Sequence, residues 1–255
     1  MVLVGSRDDS VLYVRTKDKA AQEVGISITV DKLPETIDES TLLEKIKQFN
    51  EDKKIHGVLV QMPLPSHINQ ENVIEAIDYR KDVDGFHPFN IGKMTQRVGR
   101  PLFLPCTPKG ILHLIRSTEK EISGQRAVVV GRGDLVGTPV ASLLTAEHAT
   151  VTLCHSKTIN LENIVKEADI LVAAVGQPEL IKGSWIKPGA IVIDVGMTAV
   201  PDISKKSGFR WVGDVEFEKA KQVASFITPV PGGVGPMTVA MLLENITSSA
   251  KNNIS

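Results

Sequence analysis

The sequence predicts an α/β protein of two domains, and three observations carry that expectation. Short β-branched runs alternate with stretches of helical periodicity along the whole chain, the pattern of strand–helix–strand units on parallel sheets. Most of these runs are continuously apolar rather than alternating, as in strands covered on both faces. A fresh strand–turn–helix unit opens at Arg126, beyond the proline-flanked step Pro105-Cys106-Thr107-Pro108, which is the boundary candidate.

Taken in order, Met1-Val2-Leu3-Val4 already reads as strand, with Leu3–Val4 its core, so the chain is expected to start inside a sheet. Further strands are expected at Ile26–Val30, Gly57–Gln61, Arg126–Val130, Thr150–Cys154, Ile170–Ala174 and Ala190–Val195. A helix is expected from about Glu39 to Asn50, where Leu42, Leu43, Ile46 and Phe49 make one apolar stripe. Another begins after Thr107, with Pro108 suited to the first helical position. The last helix, about Val239 to Lys251, has no strand after it and is expected to pack back on the first domain. The domains are therefore read as 1–107 completed by 239–255, and 108–238.

Length and composition narrow the class. At ~150 residues per domain, 255 residues make one large domain or two modest ones. A hydrophobic content of 42% with 23% charged residues excludes disordered and fibrous chains. With 29 Lys+Arg against 30 Asp+Glu, nothing favours nucleic acid or an anionic membrane as partner. The uncharged stretch from Gln222 to Leu243 is broken by Pro229, Pro231 and Pro236 and three glycines, so it is not a membrane span. No export leader is visible. Two cysteines, Cys106 and Cys154, make no disulfide framework and read as a reduced chain, cytoplasmic or, if a leader has been lost, mitochondrial.

Ala127-Val128-Val129-Val130 runs into Gly131-Arg132-Gly133-Asp134-Leu135-Val136-Gly137 and then a helix. Such a turn lets backbone N–H groups and a helix dipole meet a pyrophosphate, although the third glycine comes one place late and a ligand-free turn reads alike. The end of the next strand is more informative. An NAD site places a carboxylate there for the ribose hydroxyls, whereas Cys154-His155-Ser156-Lys157-Thr158 has no acid. Ser156, Lys157 and Arg132 could donate to a 2′-phosphate, which favours NADP over NAD. Val175-Gly176-Gln177-Pro178 ends the following strand, where a backbone could approach the ribose or nicotinamide, although a plain turn is the simpler reading.

In the first domain Tyr13 and Lys17 stand four apart and share a helix face, so that an aromatic can stack on a planar ligand beside a proton-transferring amine. A surface pair of this kind is common without a ligand. Arg15 and Lys19 add positive charge nearby. Gln61 ends an apolar strand, at the edge where open α/β sheets bind ligands. Asp82-Val83-Asp84-Gly85 lacks the remaining ligands of a calcium loop, so no metal is expected, and a carboxylate bonding a ligand's amino and ring N–H groups suits it better than turn capping. Pro229 to Thr238 crowds three glycines into four positions before a helix, which suggests close backbone approach.

Together these pieces resemble the bifunctional methylenetetrahydrofolate dehydrogenase/methenyltetrahydrofolate cyclohydrolase family. The matching motifs are Ser10-x-x-Tyr13-x-x-x-Lys17, Val60-Gln61-Met62-Pro63-Leu64-Pro65, Asp82-Val83-Asp84-Gly85, Pro105-Cys106-Thr107-Pro108, Gly131-Arg132-x-x-x-Val136-Gly137-x-Pro139 and the Pro229–Thr238 loop, spread over nearly the whole chain. The resemblance implies an N-terminal α/β folate-site domain, a Rossmann-like doubly wound NADP-binding domain, a folate cleft between them, and a homodimer through the nucleotide domain. It implies Lys17 as the catalytic lysine, Tyr13 as the pterin-stacking ring, Gln61 tuning Lys17, and Asp84 holding the pterin. Ser10, Pro231, Gly232, Gly235 and Thr238 would line the folate site. Gly131, Arg132, Gly133, Val136, Gly137, His155, Ser156, Val175 and Gly176 would meet NADP, with Arg132 and Ser156 at the 2′-phosphate. The implied reaction, part of one-carbon metabolism, moves hydride from the folate methylene bridge to nicotinamide and then hydrolyses the methenyl cation to 10-formyltetrahydrofolate. The alternatives are an NAD-specific monofunctional dehydrogenase and a non-catalytic nucleotide-binding regulator.

Two departures stand out. Gly133 occupies a place where the family usually has serine. The family's leading helix and much of its first strand do not precede Val2, as expected of a truncated chain, and the formate ligase domain attached in some relatives is not expected here, since the sequence ends after its last helix.

Overall fold

Val2, Leu3 and Val4 are all buried and form β1 (Val2–Val4) in the computed structural model, which describes residues 1–96, 99–205 and 208–254. β1 runs parallel to β2 (Asp31–Leu33). Val2 also bridges Val60, and Val58 bridges Asp82, both in parallel. Four extended segments thus lie side by side in the order β2, β1, 58–60 and 82. Between β1 and β2 the chain forms α1 (Asp8–Glu23), followed by α2 (Glu39–Glu51), α3 (Gln70–Ala76) and α4 (Pro88–Gln96). Asp38 caps α2 by accepting the Thr41 N–H at 2.8 Å, and Leu42 and Ile46 of α2 are fully buried against Val2, Val60 and Val73. At the other end of α2 the Lys81 ammonium donates to the carbonyls of Phe49, Asn50 and Asp52 at 3.0, 2.7 and 2.8 Å. Terminal carbonyls without a helical partner are satisfied in this way by one buried cation.

Two expected strands differ here. Ile26–Val30 is β-branched but unpaired in any ladder, because the residues that lie beside β1 are Asp31–Leu33. A β-branched run suits a strand only where a neighbouring strand pairs with it. Gly57–Gln61 pairs through Val58 and Val60 alone, so it contributes bridges rather than a continuous strand.

The next part of the chain is α5 (Cys106–Arg116), β3 (Arg126–Val130), α6 (Gly137–Ala146), β4 (Thr150–Cys154), α7 (Leu161–Val165), β5 (Ile170–Ala173), β6 (Ile191–Asp194), β7 (Thr198–Pro201), β8 (Phe209–Val212), α8 (Phe217–Ala220) and β9 (Phe226–Ile227). Pro108 is the third residue of α5 rather than the first, still within the turn whose N–H groups need no helical partner. Five parallel strands form one sheet in the order β4-β3-β5-β6-β9. Strand order reverses between β3 and β5, which makes the carboxyl ends of these two strands the expected ligand edge. β3, β5 and β6 are buried almost throughout, but β4 is the sheet edge and leaves Thr152 and Leu153 exposed, so its apolar run is not covered on both faces. β7 and β8 add an antiparallel pair, and β9 a short fifth strand, that the sequence reading does not contain.

The last helix, α9 (Val234–Ile254), starts five residues earlier than expected, because Pro236 falls within its first turn, where its missing N–H costs nothing. The chain divides into two compact units, Met1–Cys106 with Val239–Ser255, and Thr107–Thr238. α9 is tied into the first unit by the buried Asn245 amide, which donates to the Val83 and Leu104 carbonyls at 2.9 and 3.0 Å, and by the Ser249 hydroxyl, which donates to the His56 carbonyl.

Candidate functional site

In the first unit the expected residues sit at the carboxyl ends of neighbouring parallel segments. α1 follows β1, Gln61 follows Val58–Val60, and Asp84 follows the Asp82 bridge. On α1, Ser10 and Lys17 are buried, at 4% and 5% exposure, and Tyr13 between them is half-buried, while Arg15 and Lys19 point to solvent. The helix period therefore turns Ser10, Tyr13 and Lys17 inward and the other two cations outward. Lys17 Nζ donates to Gln61 Oε1 at 3.0 Å. The Gln61 amide nitrogen donates in turn to the Met62 carbonyl at 2.8 Å, and its backbone N–H donates to the Val2 carbonyl at 2.9 Å. The amide is thereby oriented with its oxygen toward the lysine, and the partner of Lys17 is a neutral acceptor rather than a carboxylate.

The structure splits the two aspartates of the Asp82–Gly85 motif. Asp82 is buried and caps its own turn, accepting from Gly85 N–H at 3.1 Å, His87 N–H at 2.8 Å and the Asn90 amide at 3.0 Å. Burial pushes its carboxyl above the ordinary range, against these bonds, which favour the anion. Asp84, two residues on, is half-buried at the end of the turn that Asp82 shapes. The turn-capping role set aside in the sequence reading thus belongs to Asp82.

In the second unit Gly131–Gly137, His155–Ser156 and Val175–Gly176 follow β3, β4 and β5, three strands adjacent in the sheet. The Gly131 N–H donates to the Cys154 carbonyl at 2.9 Å and the Ala174 N–H to the Val130 carbonyl at 2.8 Å, so the three strand ends are knitted together. Gly131 has φ +114°, and a Cβ there would lie 2.0 Å from the Ala174 oxygen. A Cβ at Gly137 would lie 1.9 Å from the Gly131 oxygen. These two glycines are required by the close approach of backbones, and the late third glycine is where the turn closes on itself. Gly133 differs, since a Cβ there meets nothing within 4 Å. Arg132, Ser156 and Lys157 are exposed and His155 half-buried. The His155 N–H donates to the Thr158 hydroxyl at 2.8 Å and Lys157 N–H to His155 Nδ1 at 3.1 Å, which holds the loop after β4 in a compact turn. A glycine cradle at β3 and donors without a carboxylate at β4 fit a phosphorylated dinucleotide.

Pro231 and Gly232 lie in the turn before α9, with Gly232 at φ +108°, whereas Gly235 and Thr238 lie in the helix itself. Thr238 Oγ1 pairs with Thr107 Oγ1 at 3.0 Å. Among the described residues no cluster of metal ligands is present, and no helix is long and apolar enough to cross a membrane.

Two residues of the second unit escaped the sequence reading. Asp214 accepts the N–H groups of Val175, Gly176 and Gln177, and Asp194 accepts those of Gly196, Asp214 and Val215. Burial raises the Asp194 carboxyl to about 6, against the N–H bonds that favour its anion. No local signal marks them, because the groups they bind lie up to 39 residues away in sequence.

Comparison with known proteins agrees over nearly the whole chain. Residues 1–84 match the family described as tetrahydrofolate dehydrogenase/cyclohydrolase, catalytic domain, and residues 105–254 its NAD(P)-binding domain. The bifunctional protein FolD 2 of Arabidopsis thaliana is 59% identical over 251 residues, 98% of this chain and 84% of the relative. The cytoplasmic C-1-tetrahydrofolate synthase of Schizosaccharomyces pombe is 54% identical over 250 residues, 98% of this chain but 27% of that longer protein. A crystal structure of the Trypanosoma brucei methylenetetrahydrofolate dehydrogenase-cyclohydrolase, complexed with NADP cofactor and an inhibitor, superposes with a TM-score of 0.95 at 45% identity, covering 99% of this chain and 86% of that one. On these matches, and on a hydrogen-bonded lysine–glutamine pair and a glycine cradle at the places the motifs assign, the chain belongs to the tetrahydrofolate dehydrogenase/cyclohydrolase family.

Proposed function

We propose that this chain is an NADP-dependent methylenetetrahydrofolate dehydrogenase and methenyltetrahydrofolate cyclohydrolase, with Lys17 as its proton-transferring group. The observation that carries the reading is the Lys17–Gln61 contact at 3.0 Å. A buried amine held by a neutral amide is located without being committed to a carboxylate, so it can pass protons during turnover. Bound NADP supplies the nicotinamide C4 that accepts hydride from the methylene bridge of 5,10-methylenetetrahydrofolate. In the second reaction Lys17 takes a proton from the water that adds to the methenyl carbon. When the ring opens, the carbon–nitrogen bond to N5 breaks and the added hydroxyl gives up its proton to solvent as the formyl C=O forms. Lys17 returns its proton to the released nitrogen, giving 10-formyltetrahydrofolate. Tyr13 stacks on the pterin, Asp84 accepts from its amino and ring N–H groups, Ser10 lines the folate site, and Gln61 keeps Lys17 in register. Pro231, Gly232, Gly235 and Thr238 stand as folate contacts on the resemblance alone.

On the cofactor side the N–H groups around Gly131, Gly133, Val136 and Gly137 take the pyrophosphate. Val175 and Gly176 approach the ribose–nicotinamide end. Arg132 and Ser156, beside His155, take the 2′-phosphate, a role that a carboxylate at the end of β4 would oppose by repulsion.

The test mixes the purified protein with methylenetetrahydrofolate and NADP. Methenyl absorbance is expected to rise and then fall as 10-formyltetrahydrofolate forms, with kcat/KM for NADP far above that for NAD. Absence of both signals from folded protein would refute the assignment.

A homodimer through the nucleotide unit is part of the same reading, supported by the edge strand β4, whose Leu153 is 37% exposed. Sedimentation equilibrium should report twice the mass of the 27.7 kDa chain. A monomer at micromolar concentration would remove the dimer without touching the catalytic proposal.

A further inference from the structure

Two buried carboxylates in the second unit have no part in the chemistry above, yet they form a hydrogen-bonded relay that ends at the cofactor turn. Asp214 is 0% exposed; its Oδ2 accepts from Val175 N–H at 2.7 Å and Gly176 N–H at 3.1 Å, and its Oδ1 from Gln177 N–H at 2.8 Å. Three successive backbone donors of the loop after β5 thus converge on one side chain. Asp194, at the end of β6 and 2% exposed, holds the backbone of Asp214 itself, accepting its N–H at 2.9 Å together with those of Val215 at 2.9 Å and Gly196 at 3.0 Å. The Thr228 hydroxyl accepts the Asp194 N–H at 2.8 Å and completes the support.

The surroundings are shaped for these two groups. A Cβ at Gly213 would lie 2.0 Å from Asp194 Oδ2, and one at Gly196 would lie 2.4 Å from Asp214 Oδ1. An exposed turn can leave its N–H groups to water, whereas burying two anions is costly unless each is fully hydrogen-bonded. The turn they hold abuts the phosphate loop, since Gly131 packs against the Ala174 carbonyl immediately before it. A displacement of Val175–Gly176 therefore moves the floor of that loop.

We infer that Asp214, seated by Asp194 and Thr228, is a positioning residue for the dinucleotide: it sets the Val175–Gly176 backbone against which NADP docks, and it has no role in the hydrolytic step. The inference rests on the NADP-dependent dehydrogenase reading. The two activities of that reading separate it from simple structural support, because hydrolysis of supplied methenyltetrahydrofolate needs no NADP.

The full chain and its Asp214→Asn variant are assayed for both reactions. Asparagine keeps the volume but turns an N–H₂ toward at least one backbone donor. The expected result is a rise in KM for NADP of about tenfold or more, the scale of losing a bond to a charged acceptor, with cyclohydrolase kcat within about twofold of the parent. Thr228→Val removes only the outermost support and is expected to raise the NADP KM by a few fold, again sparing cyclohydrolase; it serves as the test if Asp214→Asn does not fold. An unchanged NADP KM in either folded variant, or an equal loss of both activities, overturns the positioning role. A parent protein with neither activity overturns the enzyme reading, and this inference with it.

Discussion

Lys17→Met is expected to lower cyclohydrolase turnover by about 10²- to 10⁴-fold, the usual contribution of a positioned acid–base group, while the protein remains folded and still binds folate. Methionine keeps most of the apolar stem that lies among Val14, Ala21 and the rest of the buried face of α1, so the helix loses little packing. It loses the N–H that Gln61 Oε1 accepts at 3.0 Å and, with it, the amine proposed to carry the proton. Lys17→Arg sharpens the test. Arginine restores a donor to Gln61 but does not give up its proton at working pH, so cyclohydrolase activity should stay low even where folate affinity recovers. Turnover of methenyltetrahydrofolate, followed spectroscopically beside folate affinity from calorimetry, separates the two effects. If Lys17→Met hydrolyses methenyltetrahydrofolate at the parental rate, the proton-transfer role belongs to another group.

Gly137→Ala is expected to weaken NADP binding at least a hundredfold and to destabilise the second unit, whereas Gly133→Ser, four residues earlier in the same loop, is expected to strengthen NADP binding. The Gly137 Cβ would lie 1.9 Å from the Gly131 oxygen, 2.6 Å from the Gly131 carbonyl carbon and 3.1 Å from Arg132 Cα, all backbone atoms that cannot swing aside. The peptide that cradles the pyrophosphate must move. Overpacking of this kind costs about 1–3 kcal/mol of stability, and an NADP affinity at least a hundredfold weaker is expected because the moved peptide is itself the binding surface. Gly133 carries no such constraint. Its φ is outside the left-handed region, and a Cβ there meets nothing within 4 Å. A serine therefore fits without strain and restores the hydroxyl usual in the family, so the NADP KM should fall with no change in melting temperature. Thermal unfolding and NADP titration of both variants check the pair. Equal behaviour of the two would show that the loop tolerates or rejects side chains for some other reason.

What could be read in advance follows from how local each signal is. The Tyr13–Lys17 pair and its buried side were visible because helical periodicity places residues four apart on one face. Gly131 and Gly137 were visible because a turn that brings two backbones within contact admits no Cβ, and that demand is written into the residue types. The motif at Asp82–Gly85 was visible as a unit but not in its division of labour. Either aspartate could cap a turn, and only the packing of His87 and Asn90 against Asp82 leaves Asp84 as the candidate ligand group. The strand beside β1 was misplaced for a similar reason, since Ile26–Val30 has the better composition but Asp31–Leu33 has the partner.

By itself the sequence determined the α/β class, the family, the glycine cradle and the paired lysine and tyrosine, because periodicity, chain-local turns and ordered motifs need no knowledge of the rest of the molecule. The tertiary structure alone decided the strand order β4-β3-β5-β6-β9, the antiparallel β7–β8 pair, the early start of α9 and the Asp194–Asp214 relay. Strand pairing and buried hydrogen bonds are made between residues tens of positions apart. Whether a carboxylate is solvated, capping a turn or holding a distant loop depends on which groups folding brings to it.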